Sequence, residues 1–200
     1  MTDNEPAELS PIPRLLVSMS WLKAPWLRRG GQGWENVLVT EVMQGLDFLP
    51  RSDFLGAVLR AGVGADDVRL RLASETEDAV LALQPRSTWL AGADGVSKVE
   101  VQPDARIESP SVLGLVEAKR IKPGKFQREQ LARSYLAALT EGRRTGRRSL
   151  LLLVIPKAPP VQVDGHGSMN IRDAIEEFLP VVLGRVAPSG LDATSLSRDI

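Results

Sequence analysis

The chain has no cysteine among its 200 residues and a single histidine, His166. Without cysteine there is no disulfide, no thiol nucleophile and no cysteine-based zinc or iron–sulfur centre. One histidine excludes two-histidine zinc sites and histidine clusters generally. A Ser-His-Asp relay would have to use His166, which lies in the loop VDGHGSMN, and no GxSxG elbow accompanies it. Neither a Walker loop nor a GxGxxG turn is present, so nothing points to an ATP-driven motor. No stretch approaches roughly 18 uncharged apolar residues. The opening MTDNEPAELSPIPR is acidic and proline-rich where a signal peptide needs positive charge followed by an apolar run. These absences predict a soluble, cytoplasmic protein without membrane association. Any catalysis must run on carboxylates, Lys, Arg, Gln and bound cations.

Net charge is zero, with 25 basic and 25 acidic side chains, which argues against coating nucleic acid by charge alone. The distribution is less even. Ten Lys or Arg fall between Lys119 and Arg148, against two acids, Glu129 and Glu141. Such a segment suits a local anionic partner or a solvated helix face.

The length suits one compact domain with decorations. The pattern predicts a loose arm over 1–20, a single domain over 21–185 with its core at about 34–156, and a tail over 186–200. Leu38, Val42, Leu46 and Leu49 recur at helical spacing and predict a first helix ended by Pro50. Ser52-Asp53 offers a cap for a short second helix through about Arg60. VRLRLAS, AVLALQP and GVSKVEVQPDARI alternate in the manner of half-buried strands, and VLGLVEAK reads as a strand entering the interior. KFQREQLARSYLAALTEG follows as a helix stopped at Gly142. SLLLLVI is of strand length and reads as buried on both faces. A last amphipathic helix covers about Asn170 to Leu183, interrupted or kinked at Pro180.

Chemistry concentrates in Pro103-Asp104 and, after twelve intervening residues, Glu117-Ala118-Lys119. Glu117 and Lys119 are two apart in a predicted strand, so both side chains leave one face. They end a buried run, where ionised groups are costly unless paired or bound to a metal. A divalent cation between Asp104 and Glu117 resolves that cost. Hard oxygen donors suit Mg²⁺ or Mn²⁺, which activate water and neutralise charge on a phosphate, with Lys119 orienting the water or stabilising developing charge.

Pro-Asp, a spacer and Glu-x-Lys, set in the order helix, three strands, helix, strand, resemble the PD-(D/E)XK signature of the restriction-endonuclease-like superfamily. The resemblance implies an α/β fold of α-β-β-β-α-β order with a mixed sheet, plus the C-terminal helix. It implies a Mg²⁺-dependent deoxyribonuclease with Asp104, Glu117 and Lys119 in the site and Asp104 where the second strand meets the third. The superfamily often adds a glutamate from the first helix: Glu35 falls within the apolar stripe and is preferred as metal ligand over Glu41 on its flank. Some branches place a glutamine after the Glu-x-Lys strand; Gln127, Gln130 and Ser134 share a face, and Gln130 is the candidate. Tyr135 lies five residues past Gln130 where RecB-like relatives have a tyrosine four residues on. Lys122, Lys125, Arg143, Arg144, Arg147 and Arg148 are candidate phosphate contacts. The four tryptophans, Trp21, Trp26, Trp34 and Trp89, could stack on bases but read rather as core or interface packing residues. The implied partner is nucleic acid, DNA above all, with a homodimer or a larger complex possible. The alternative is a non-catalytic nucleic-acid-binding or assembly subunit of the same fold.

Overall fold

A computed structural model describes residues 42–119, 125–155 and 157–187. The predicted arm, Glu35, Glu41, Lys122, three of the tryptophans and residues 188–200 lie outside them. The described residues open with a helical stretch at 42–48 (α1), then α2 (Leu55–Ala61) and α3 (Asp66–Ser74), followed by a 3₁₀ turn at Thr76–Asp78. Strands β1 (Val80–Leu83), β2 (Thr88–Ala91), β3 (Lys98–Val101), β4 (Ala105–Glu108) and β5 (Val112–Ala118) follow. The long helix α4 (Gln130–Thr145) leads to β6 (Arg148–Val154), the short hairpin β7 (Val161–Val163) and β8 (Gly167–Met169), and helix α5 (Ile171–Leu183).

Four strands form a mixed sheet in the order β1-β4-β5-β6, antiparallel except for the parallel pair β5–β6 that α4 connects. Every residue of β5 is buried, and its alternation divides the core. Val112, Val116 and Ala118 face one apolar cluster with α1, α2 and α3, whereas Leu113 and Leu115 face another with α4 and α5. The protein is thus α/β, with helices on both faces of a mixed sheet and a C-terminal helix.

Several expectations are corrected. VRLRLAS is helix α3, not a strand: Arg69, Leu72 and Ala73 are buried at helical spacing, Leu70 is exposed, and Asp66 and Asp67 suit the positive end of a helix. The Arg69 guanidinium bonds the carbonyls of Leu59 and Arg60, satisfying the end of α2. In α1 the stripe is rotated, with Met43 buried and Val42 and Leu49 exposed. Helix α2 starts at Leu55 without a side-chain cap, because 50–54 form a turn in which Phe54 N–H donates to Pro50 O at 3.0 Å.

The segment GVSKVEVQPDARI is two strands in two sheets. Its first half, β3, pairs with the unforeseen β2, and Pro103, which has no N–H to donate, separates it from β4. Helix α4 runs through Gly142 and stops at Gly146 in the left-handed region (φ 67°). Gly142 allows close approach instead: a Cβ there would lie 2.0 Å from Ser149 Oγ and 2.9 Å from Arg147 O. Strand β6 is at the sheet edge, so only Leu150 is fully buried. Helix α5 continues across Pro180, which sits on its exposed side. Val186, at the start of the expected tail, is buried and bridges Gly92, and Ala187 N–H donates to Ala91 O at 2.8 Å.

Just past α3, Glu75 anchors the β4–β5 turn. It accepts from Ser109 Oγ (2.6 Å), Ser111 N (3.1 Å) and Ser111 Oγ (2.8 Å), and Arg71 lies at 2.5 Å. The Ser109 bond above all holds its carboxyl down to about 2, against an ordinary 4.5. Glu75→Ala should lower stability by about 1–3 kcal/mol at neutral pH. A depressed folded-state value contributes above the unfolded one, so the loss should vanish as pH falls from about 4.5 toward about 2. Urea unfolding of both proteins across that range measures it; equal stability at pH 7 would remove Glu75 as an anchor.

Candidate active site

The β4–β5 ladder ends at Ala105 opposite Val116, and Asp104, in the bend just before β4, lies beside the end of β5 next to Glu117. Asp104 precedes β4, the second strand of the four-stranded sheet, and the turn joining β4 to β5 lies at the other end of the ladder. This corrects the expectation that Asp104 sits where those strands join. Asp104 N–H donates to Val116 O (3.0 Å), and Ala118 N–H donates to the Asp104 carboxylate at Oδ2 (2.7 Å). Backbone bonds therefore hold this carboxylate against the end of β5.

Glu117, the penultimate residue of β5, is only 5% exposed and faces α4 with Leu113 and Leu115. Both its oxygens have donors from that helix: Ser134 Oγ to Oε1 at 2.9 Å and Gln130 Nε2 to Oε2 at 3.0 Å. Burial first, and then the Asp104 charge, push its carboxyl up to about 7; Ser134, Lys119 and Gln130 oppose the rise. Lys119 lies one residue past β5, its N–H held by Val154 O at 2.9 Å. Its ammonium rests 5.1 Å from the centroid of the buried Phe126 ring.

Asp104, Glu117, Lys119 and Gln130 are thus brought to one place. Ser134 joins them, a contact the sequence reading noted only as a shared helix face. The signal was there: a serine four residues past Gln130 inside an apolar stripe has no reason to be 2% exposed unless it has a polar partner. Gln127 turns away, taking Arg133 Nη2 on its amide oxygen at 3.3 Å. Tyr135 belongs to the α4–α5 core. Glu35 and Glu41 lie outside the described residues, and among those described no group of three His, Asp or Glu side chains is close enough to hold a metal ion.

The basic turn is not part of this site. Arg148 pairs with Val112 at the start of β5, five residues before Glu117, a separation of roughly 17 Å along a strand. Arg144 pairs with Glu141 (2.7 Å), Arg147 with Glu108 (2.9 Å) and Arg148 with Asp67, and Arg143 is also engaged. Lys125 is exposed on the approach to α4. His166, in the β7–β8 turn, packs edge-on against Phe178 of α5, and Trp89 is 54% exposed on β2, outside the core. A cavity of about 340 Å³ on the α1–α3 side is walled by Met43, Leu46, Leu59, Ile107 and Val116 and reaches Lys119, and its lining is almost wholly apolar.

No protein-family model, curated protein or solved structure matches the chain.

The state of Glu117 has a measurable signature. A raised carboxyl retains its proton in the folded chain at pH values where the unfolded chain has lost it, so stability should fall as pH rises from about 4.5 to about 7, by about 3 kcal/mol. Urea midpoints in EDTA at intervals across that window should show the fall, and Glu117→Gln should flatten it. An unchanged pH dependence in Glu117→Gln would assign the effect elsewhere.

Proposed function

We propose that this protein is a divalent-cation-dependent phosphodiesterase acting on nucleic acid, DNA above all, built on a restriction-endonuclease-like core. The observation that carries this reading is the Asp104 carboxylate held beside Glu117 by the Ala118 N–H at 2.7 Å, with Lys119 two residues on and its ammonium over the Phe126 ring. The order of the sheet supports the core: β1, β4 and β5 are successive antiparallel neighbours, and α4 crosses over to a parallel β6. The β2–β3 hairpin is then an insertion between the first two core strands.

The donor set fits Mg²⁺ or Mn²⁺. Two carboxylates side by side at the end of a buried strand offer hard oxygens, and their mutual repulsion, felt in the raised Glu117 carboxyl, is what a cation offsets. Bound by Asp104 and Glu117, the ion supplies water activation and neutralisation of charge at phosphorus. Gln130 and Ser134 fix the plane of the Glu117 carboxylate from the α4 side, so its oxygens do not have to be oriented anew for each substrate. Lys119 brings a cation to the same end of β5, where it balances negative charge developing on the phosphate oxygens.

A second reading keeps the fold without catalysis. It draws on the two hydrogen bonds that already satisfy Glu117 and on the pair, rather than trio, of carboxylates among the described residues.

Incubation with plasmid, linear and single-stranded DNA and with RNA, in Mg²⁺ or Mn²⁺, separates the two. Cleavage should appear with the cation, cease in EDTA, and drop at least about a hundredfold in Asp104→Ala and Lys119→Ala. Cleavage undiminished in both variants would exclude this site, and none by the wild type with any substrate would favour the non-catalytic reading.

A further inference from the structure

The fold sorts the cations of the basic segment into two groups. Those at the far end of α4 are ion-paired: Arg144 with Glu141, Arg147 and the neighbouring Arg106 with Glu108, and Arg148 with Asp67. Those at the near end are not. Among the described residues Lys125, Arg128 and Arg133 form no ion pair with any carboxylate. Lys125 and Arg128 are exposed, and Arg133 is half-buried. Their polar contacts are to neutral groups, Arg128 Nε to the Asp164 carbonyl (3.3 Å) and Arg133 Nη2 to Gln127 Oε1 (3.3 Å).

These three cations stand at the start of a sixteen-residue helix, the end where positive charge is disfavoured. The first turn of α4 contains no acid, and Glu129 just before it is taken by Arg185 at 2.9 Å. Dipole and side chains therefore add to one local positive potential on a chain of zero net charge. That potential borders the site directly. Gln130, the first residue of α4, bonds Glu117, and Gln127 links Gln130 to Arg133. Phe126, next to Lys125, carries the Lys119 ammonium on its ring.

We propose that Lys125, Arg128 and Arg133 form the track that holds the phosphate backbone of a nucleic-acid strand beside the Asp104–Glu117 pair, an inference that rests on the function proposed above. It moves the role expected of the Arg143–Arg148 turn to the opposite end of α4. Contacts of this kind bind any sequence and depend steeply on salt, because each neutralised phosphate releases counterions.

Fluorescence anisotropy of the full-length protein with a labelled DNA of about 20 base pairs and its single strand, in EDTA and from about 50 to about 200 mM salt, tests the track. Binding by the Lys125→Ala/Arg128→Ala/Arg133→Ala variant should be at least about tenfold weaker, with a salt slope smaller by about 2 to 3. Arg144→Ala/Arg147→Ala should bind as the wild type does. The exposed pair Lys125→Gln/Arg128→Gln gives the same comparison if the triple variant fails to fold. Wild-type affinity and slope in a folded triple variant would overturn the proposal, as would equal competition by polyglutamate at matched charge. Failure of the chemistry reads differently: intact, track-dependent binding without cleavage would sink the nuclease reading alone, and undiminished cleavage at an unchanged KM in the triple variant would sink the track alone.

Discussion

A carboxylate at the end of a strand whose every residue is buried must find hydrogen-bond donors, lose its charge, or bind a cation. Glu117 meets the first requirement through α4, which supplies Gln130 to one oxygen and Ser134 to the other. The demand is sharpened by Asp104, which hydrogen bonds to Val116 and Ala118 hold beside it. Much of the architecture serves this one arrangement. The parallel β5–β6 pair requires a crossover, and the crossover helix starts where its first residue can reach Glu117. Hairpin β7–β8 bridges Phe126, and Phe126 in turn seats Lys119. The site is consequently assembled from the ends of regular elements and not from long loops, which keeps its groups in fixed relative positions.

How much of this was legible in the sequence depended on the physical signal behind each residue. Glu117 and Lys119 stood out because charges two apart at the end of VLGLV have no apolar reason to be there. Gln130 came from the resemblance, which implies a glutamine in the helix after Glu-x-Lys, where Gln127, Gln130 and Ser134 share a face. Asp104 was identified beside Pro103, but its place in the sheet was not, because β3 and β4 alternate in the same way and only pairing separates them. Helix α3 was misread because Val68, Leu70 and Leu72 alternate with Arg69 and Arg71. The alternation is incidental: Leu70 is exposed, and Arg69 is buried on the carbonyls that end α2. Leucine, arginine and alanine are good helix formers, and that propensity was the better guide.

Charge was the least legible feature. A count of basic residues gave the Arg143–Arg148 turn the same weight as the approach to α4. Folding distinguishes them, since Asp67 and Glu108 come from elsewhere in the chain to pair with Arg148 and Arg147, beside the local pair Arg144–Glu141. Partners 39 and 81 residues away cannot be read from local composition. The cations with no carboxylate partner among the described residues surround the end of α4 that touches Glu117, so they and the carboxylate pair are neighbours.

The central claim is that Asp104 and Glu117 together hold a divalent cation. Crystals soaked in Mn²⁺ and measured for anomalous scattering test it most directly. The account predicts a peak within bonding distance of both carboxylates, absent from crystals of Asp104→Ala. A well-diffracting soaked crystal with no peak between them, or with Mn²⁺ bound elsewhere, would contradict it.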